Sequence, residues 1–209
     1  DMVITIQQKK LDASIEANNY GSQYFGPVQF QGVAAANSIF GLHERTTLRV
    51  ISALDPEELL YGDITHEQQL GSEGVRLLLR VAASESEPGG RIETLNLEGD
   101  SRLFETSIFY PIIRTRQKNW SVRGEFAALE ASSDVFGVNV YDDSVRHLAV
   151  GTSLDFTDDL KGINLIDFKI TQGIDALGAN EDGLGRSRFN GNHEFTKGNL
   201  RLTRLQDIW

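Results

Sequence analysis

Apolar and polar positions alternate with a period of two from end to end of this chain, with no long helical pattern between them. Residues 146–156 show it best. Leu148, Val150, Thr152, Leu154 and Phe156 alternate with His147, Ala149, Gly151, Ser153 and Asp155. Successive side chains of a strand point to opposite faces, so this segment has one greasy face and one polar or small one. Phe104, Thr106, Ile108, Tyr110 and Ile112 repeat the pattern. So do Trp120, Val122, Gly124, Phe126 and Ala128, set against Ser121, Arg123, Glu125 and Ala127. The pattern predicts a large antiparallel sheet.

About ten strands are expected, over roughly residues 3–17, 29–40, 46–54, 59–70, 75–86, 102–112, 119–131, 146–157, 162–174 and 194–206. In the fifth, Val75, Leu77, Leu79, Val81 and Ala83 share one face, and Arg76, Leu78, Arg80, Ala82 and Ser84 the other. The connections alternate as well. Short turns are expected at 41–45, 71–74 and 158–161, and long Gly/Asn/Asp/Ser-rich loops at 18–28, 87–101, 132–145 and 175–193. In a serial up-and-down sheet every second connection falls at the same end. Long loops then gather at one end and short turns at the other, as in outer-membrane barrels. The short connection at 55–58 is the exception. With no internal repeat or low-complexity linker, residues 1–209 read as a single domain.

Charged residues occupy mid-strand positions opposite the apolar rows: Arg76, Arg80, Glu105, Arg123, Glu125, Asp167 and Lys169. In a soluble sandwich they would be solvated outer positions, with the apolar rows as core. In a membrane barrel they would line a wet lumen, with the apolar rows on lipid. Alternation alone fits both. No run of 18 apolar residues is present, which argues against a transmembrane helix. It leaves barrels open, because a spanning strand needs only about 9–11 alternating residues.

The formal charge of −10 disfavours a nucleic-acid partner, which needs a basic footprint. Cysteine is absent, which removes disulfides, thiolate metal sites and cysteine nucleophiles. His43, His66, His147 and His193 show no metal-ligand spacing and read as solvated or lumen-facing. Asp158-Asp159 and Glu181-Asp182-Gly183 lack the full pattern of a calcium loop and read as acidic turns. No nucleophile elbow or phosphate-cradling loop occurs. An enzyme is not expected, nor a cofactor or metal.

The segment 104–116 is more telling. A strand runs through an aromatic pair into Pro111, which belongs at a strand end or edge because it cannot donate to the ladder. Arg114 and Arg116 then cap a polar turn ending at Asn119, with Tyr110 and Trp120 on either side. In a membrane barrel this matches an interfacial aromatic girdle with basic residues beyond it. In a soluble protein it is an ordinary hairpin.

The hairpin Tyr110-Pro111-Ile112-Ile113-Arg114-Thr115-Arg116 resembles that of two-partner-secretion outer-membrane transporters, the hemolysin secretion/activation proteins of the ShlB/FhaC/HecB type. Other stretches resemble the family in order. Residues 18–27 look like its first external loop and 37–42 like its first periplasmic turn. Tyr61-Gly62-Asp63-Ile64 and 70–74 look like the next hairpin, and 195–206 like the strand closing the matched region. His66 and Glu67-Gln68-Gln69 depart from the aromatic–proline tone expected there.

The resemblance implies an all-β, antiparallel up-and-down transmembrane β-barrel in the bacterial outer membrane. The chain would supply about the first ten strands of a larger barrel, its N-terminal part. It implies export, with possible activation, of a large exoprotein such as a hemolysin or adhesin. The partners implied are that exoprotein and outer-membrane lipid. It assigns Tyr110, Pro111 and Arg114 to the hairpin motif, and the seven charged residues above to the lumen wall. The family's periplasmic domains, plug helix and Val-Arg-Gly-aromatic loop are not found in the sequence. Val122-Arg123-Gly124-Glu125-Phe126 is no substitute for that loop, since it lies in a regular strand and comes too early. Alternatives are another outer-membrane barrel (a channel or assembly factor) and a soluble β-sandwich binding module.

Overall fold

The computed structural model describes residues 9–179, 185–188 and 191–206. Ten strands follow in order: β1 Leu11–Asn18, β2 Gln29–Asn37, β3 Arg45–Ala53, β4 Leu60–Leu70, β5 Val75–Ser86, β6 Leu97–Arg114, β7 Lys118–Val135, β8 Val138–Thr157, β9 Ile163–Gly173 and β10 Thr196–Leu205. Each pairs antiparallel with the next, in one up-and-down sheet. Among the described residues β1 and β10 are its two open edges. The part of the first predicted strand before residue 9, and Glu181-Asp182-Gly183, lie outside the described residues.

Register carries the alternation across the whole sheet. From β8, Val150 stands opposite Gly124 of β7 and Ile170 of β9. The same face then takes in Ile108, Leu77, Leu48 and Ile15 on one side and Leu200 and Leu202 on the other. Leu77, Leu79, Val122, Leu148, Val150 and Leu154 all share it. This face is the exposed one: Ile15 is 87% exposed, Val150 67% and Leu202 67%. The buried strand positions other than Arg146 lie on the opposite, polar face, among them Ala35, Ala53, Asp63, Ala82, Ser107, Ala127, Ala149 and Thr171. Small side chains crowd where a sheet curls inward, so the polar face is the concave one. A soluble sandwich requires a second sheet against the apolar rows. Among the described residues all strands join a single sheet, and the apolar face is left bare.

Three strands outrun their prediction. β6, β7 and β8 have 18, 18 and 20 residues. The segment 132–145, expected as a long loop, continues the β7–β8 ladder to a two-residue turn at Phe136-Gly137, with a bulge between Ser133 and Asp134. Of the expected loop 87–101, only its first part is irregular, with a 3-10 turn at Gly90–Leu95. The excess over the about 9–11 residues that a bilayer-spanning strand needs forms a rim at this end of the sheet. The rim is stitched through backbone bonds: Leu54 N–H donates to Val28 C=O, Glu87 to Glu57, Gly89 to Tyr24 and Phe136 to Leu95. Gly26, at φ +78°, lies against Ala53 so closely that a Cβ would collide. The first loop thus folds over the polar face. Pro111 does not end its strand, contrary to expectation. β6 runs on to Arg114, and a bulge between Pro111 and Ile113 absorbs the missing donor.

The opposite end is closed by turns at 38–44, 71–74, 115–117 and 158–162. Carboxylates organise two of them. Glu44, buried, accepts from the Phe40 and Leu42 amides at 2.6 and 2.9 Å. Those bonds, Phe40's first, hold its carboxyl below the usual range. Asp158 accepts from Arg204, Asn164 and the Leu160 and Gly162 amides. Arg204 is the main reason its carboxyl also titrates low.

Candidate functional site

All seven charged residues singled out from the sequence lie on the polar face. The ladder brings five of them, with others the sequence did not flag, into two ion-pair clusters. The first spans β3 to β5. Arg49 Nε donates to Asp63 Oδ2 at 2.7 Å, and Thr65 Oγ1 donates to Asp63 Oδ1 at 3.2 Å. Arg80 Nη2 donates to the Tyr61 hydroxyl at 2.8 Å, and its Nε stands 3.9 Å from Asp63 Oδ1. That Nε is buried without a hydrogen-bond partner. The Arg49 guanidinium also lies over the Tyr61 ring, 5.8 Å from its centroid. Asp63 is a buried anion between two arginines.

The second cluster spans β6 to β9 and centres on Glu125. Lys169 Nζ reaches both Glu125 oxygens, at 2.9 and 3.0 Å. Arg123 Nη2 lies 3.2 Å from Glu125 Oε2 and 3.1 Å from Glu105 Oε1. His147 Nε2 completes the group 3.4 Å from Glu125 Oε1. Arg80 and Glu105 are ladder neighbours, so the clusters adjoin. Across β3–β9 the signs alternate: Arg49, Asp63, Arg80, Glu105, Arg123, Glu125, Lys169. Such a belt satisfies its own charges while keeping the face wet, because most of the cations remain partly exposed.

Arg76 and Asp167 share the face without joining an ion pair among the described residues. Arg76 stacks on Phe109 at 4.4 Å. Asp167 stands opposite Ser153 and Arg201 in the ladder. Arg49, Asp63, Tyr61 and His147 are the members that sequence reasoning missed as a site. Their signal was parity, since each falls on the polar side of its strand's alternation. His66 departs from the solvated or lumen-facing expectation. It lies on the apolar-row face near the short-turn end, its Nδ1 2.8 Å from Thr46 Oγ1.

The hairpin motif divides between the faces. Tyr110 and Trp120 lie on the apolar face, both well exposed, and Trp120 Nε1 donates to Thr152 Oγ1 at 2.8 Å. An aromatic body with a satisfied polar atom, as Trp120 has, suits a membrane–water interface. Pro111 lies at the bulge, and Arg114 reaches back over Gly74 of the neighbouring turn. Pro111, Arg114 and Trp120, with Arg76, Phe109 and Asp155, line a cleft of about 420 Å³. Charge returns to the apolar face at the strand ends, at Glu85, Arg102, Glu130 and Arg146 toward the rim and at Lys118 and Arg204 toward the short turns. No group of three or more metal-ligating side chains occurs among the described residues.

Residues 1–208 match the family model described as haemolysin secretion/activation protein ShlB/FhaC/HecB. No curated protein matches the chain. Among solved structures the fold is similar to CdiB from Escherichia coli, with a TM-score of 0.83 at 13% identity, covering 98% of this chain and 39% of that one. CdiB from Acinetobacter baumannii is also similar, with a TM-score of 0.56 at 18% identity, covering 79% of this chain and 32% of that one. The chain thus spans about two fifths of the first structure's length.

Proposed function

Because the chain belongs to the ShlB/FhaC/HecB haemolysin secretion/activation family of non-enzymatic outer-membrane β-barrel transporters, we propose that its ten strands form part of the wall of an export pore for a secreted exoprotein. In this reading the apolar face meets lipid and the belt from Arg49 to Lys169 lines the aqueous lumen. The edges of β1 and β10 each need a neighbouring strand, because unpaired backbone groups are not tolerated in hydrocarbon.

The observation that carries the reading is the inversion of exposure. Over ten strands the apolar face is bare and the charged face is concave and paired. The mechanism is physical. A wall of mutually neutralised charges offers water and hydrogen bonds to an extended polypeptide and few greasy patches on which it would stall. Arg123 is one paired wall residue among several, in keeping with its place in mid-β7.

The test uses the full-length protein co-expressed with its exoprotein. Ser153→Cys places a thiol on the polar face, between Ser121 and Asp167. A large polyethylene-glycol maleimide is expected to modify it and arrest export. The same reagent should leave Val150→Cys unmodified and export unchanged. Undiminished export through fully modified Ser153→Cys protein would overturn the assignment of this face to the pore.

A further inference from the structure

We infer that residues 174–179 form a membrane-surface anchor, folded down the outside of the barrel wall so that Leu177 enters the outer leaflet. The inference rests on the assignment of the apolar face to lipid, given above.

Arg146 sits on the apolar parity of β8, one step above Leu148. An arginine there should extend into solvent, yet Arg146 is only 6% exposed. Four of the five guanidinium N–H groups have partners. Nη2 donates to Glu130 Oε1 at 2.8 Å, Nη1 to the Leu129 and Val145 carbonyls at 3.1 and 3.3 Å, and Nε to the Leu177 carbonyl at 3.2 Å. The Ile174 amide donates in turn to the Arg146 carbonyl at 2.9 Å. These bonds staple the segment after β9 against the outer face. The first external loop does the reverse, with Gly26 folded over the polar face against Ala53.

What the staple presents is apolar. Leu177 is 74% exposed, between Ala176 and Gly178. It is held at φ +54°, a left-handed conformation that leucine adopts at a cost. Below it on the same face begins the bare row of Leu148, Val150, Phe168 and Ile170. Leu177 therefore continues the lipid-facing surface by one step, past the level where Glu130 neutralises Arg146. Asp175, by contrast, is largely exposed and faces His193, which keeps the segment's polar end toward water. Acyl chains just below the headgroups are the occupant that fits, because a leucine held outward gains by removal from water and the surface it extends is already apolar.

The described residues hold no cysteine, so single cysteines can carry an environment-sensitive fluorophore. The full-length protein is reconstituted in vesicles whose lipids bear a nitroxide high on the acyl chain. Leu177→Cys, Val150→Cys and Phe136→Cys are labelled; Phe136 marks the exposed rim hairpin. The expected result is quenching at Leu177 roughly half as strong as at Val150 or more, with little at Phe136. Adding Arg146→Gln should abolish quenching at Leu177 and leave Val150 quenched, which also shows that the barrel has assembled. A Leu177 label as unquenched as Phe136 beside a quenched Val150 overturns the anchor alone. An unquenched Val150 overturns the lipid-facing assignment and the anchor with it.

Discussion

Val150→Arg puts a charge where the account places hydrocarbon. Val150 is 67% exposed on the apolar face, between Gly124 and Ile170. The nearest charge on its own strand and face is Arg146, four residues toward the rim. At about 3.4 Å per residue and a tilt near 40°, that separation corresponds to roughly 10 Å of depth. An arginine at 150 cannot carry its guanidinium that far. The cost should be roughly 2–4 kcal/mol, a loss of about 30- to 1000-fold in the folding equilibrium. Ser153→Arg is the matched control. It puts the same side chain on the polar face of the same strand, opposite Asp167, and should change stability by less than about 0.5 kcal/mol. Both are measured by denaturant titration of the full-length barrel in lipid vesicles. Equal, small effects would refute the reasoning, and a larger penalty at Ser153 would invert it.

The Asp63 cluster should couple unequally. A double-mutant cycle of Arg49→Gln with Asp63→Asn should give about 1–2 kcal/mol, because that pair is hydrogen-bonded at 2.7 Å around a buried carboxylate. The cycle of Arg80→Gln with Asp63→Asn, at 3.9 Å, should give less than about 0.5 kcal/mol. Arg123→Ala should cost less than about 1 kcal/mol and leave export intact, as read by a secretion assay on the full-length protein; abolished export with normal assembly would show that Arg123 is a transport residue. The turn at 38–44 should respond to acid. Because folding lowers the Glu44 carboxyl, its contribution is whole above the ordinary carboxylate range near pH 4 and is lost as pH falls through the lowered value. Hydrogen exchange should therefore show the Phe40 and Leu42 amides protected at neutral pH and released in stronger acid than an ordinary glutamate requires, and already unprotected at all pH in Glu44→Ala.

The strands were legible wherever one face had to differ from the other. Val75–Ser86 and Lys118–Ala131 alternate because their two faces meet different surroundings, one bare and apolar, the other polar and paired. Where both sides are polar the constraint lapses. Residues 132–145 therefore read as loop while hydrogen-bonding as strand, and their Ser, Asp and Asn content reports solvent rather than turn geometry. Pro111 misled for a related reason, since a bulge is set by the partner strand and leaves no mark in the local sequence. The polar face was predictable residue by residue, but its pairing was not. Arg49 finds Asp63 only once the β3–β4 register is fixed, and Glu125 finds Lys169 only once three strands are in register. Arg146 shows what parity can still yield. A charge in an apolar row marks either the end of the membrane belt or a buried partner, and here it marks both.

If one face of this sheet meets lipid and the other water, thiol reactivity must alternate along β8, and single-cysteine labelling reads that alternation. In native outer membranes holding the full-length protein, a small charged thiol reagent is applied to Val150→Cys, Gly151→Cys, Thr152→Cys, Ser153→Cys and Leu154→Cys. Reaction is expected at positions 151 and 153, with protection at 150, 152 and 154. Reaction at 150, 152 and 154 with protection at 151 and 153, or uniform reaction along the strand, would contradict it.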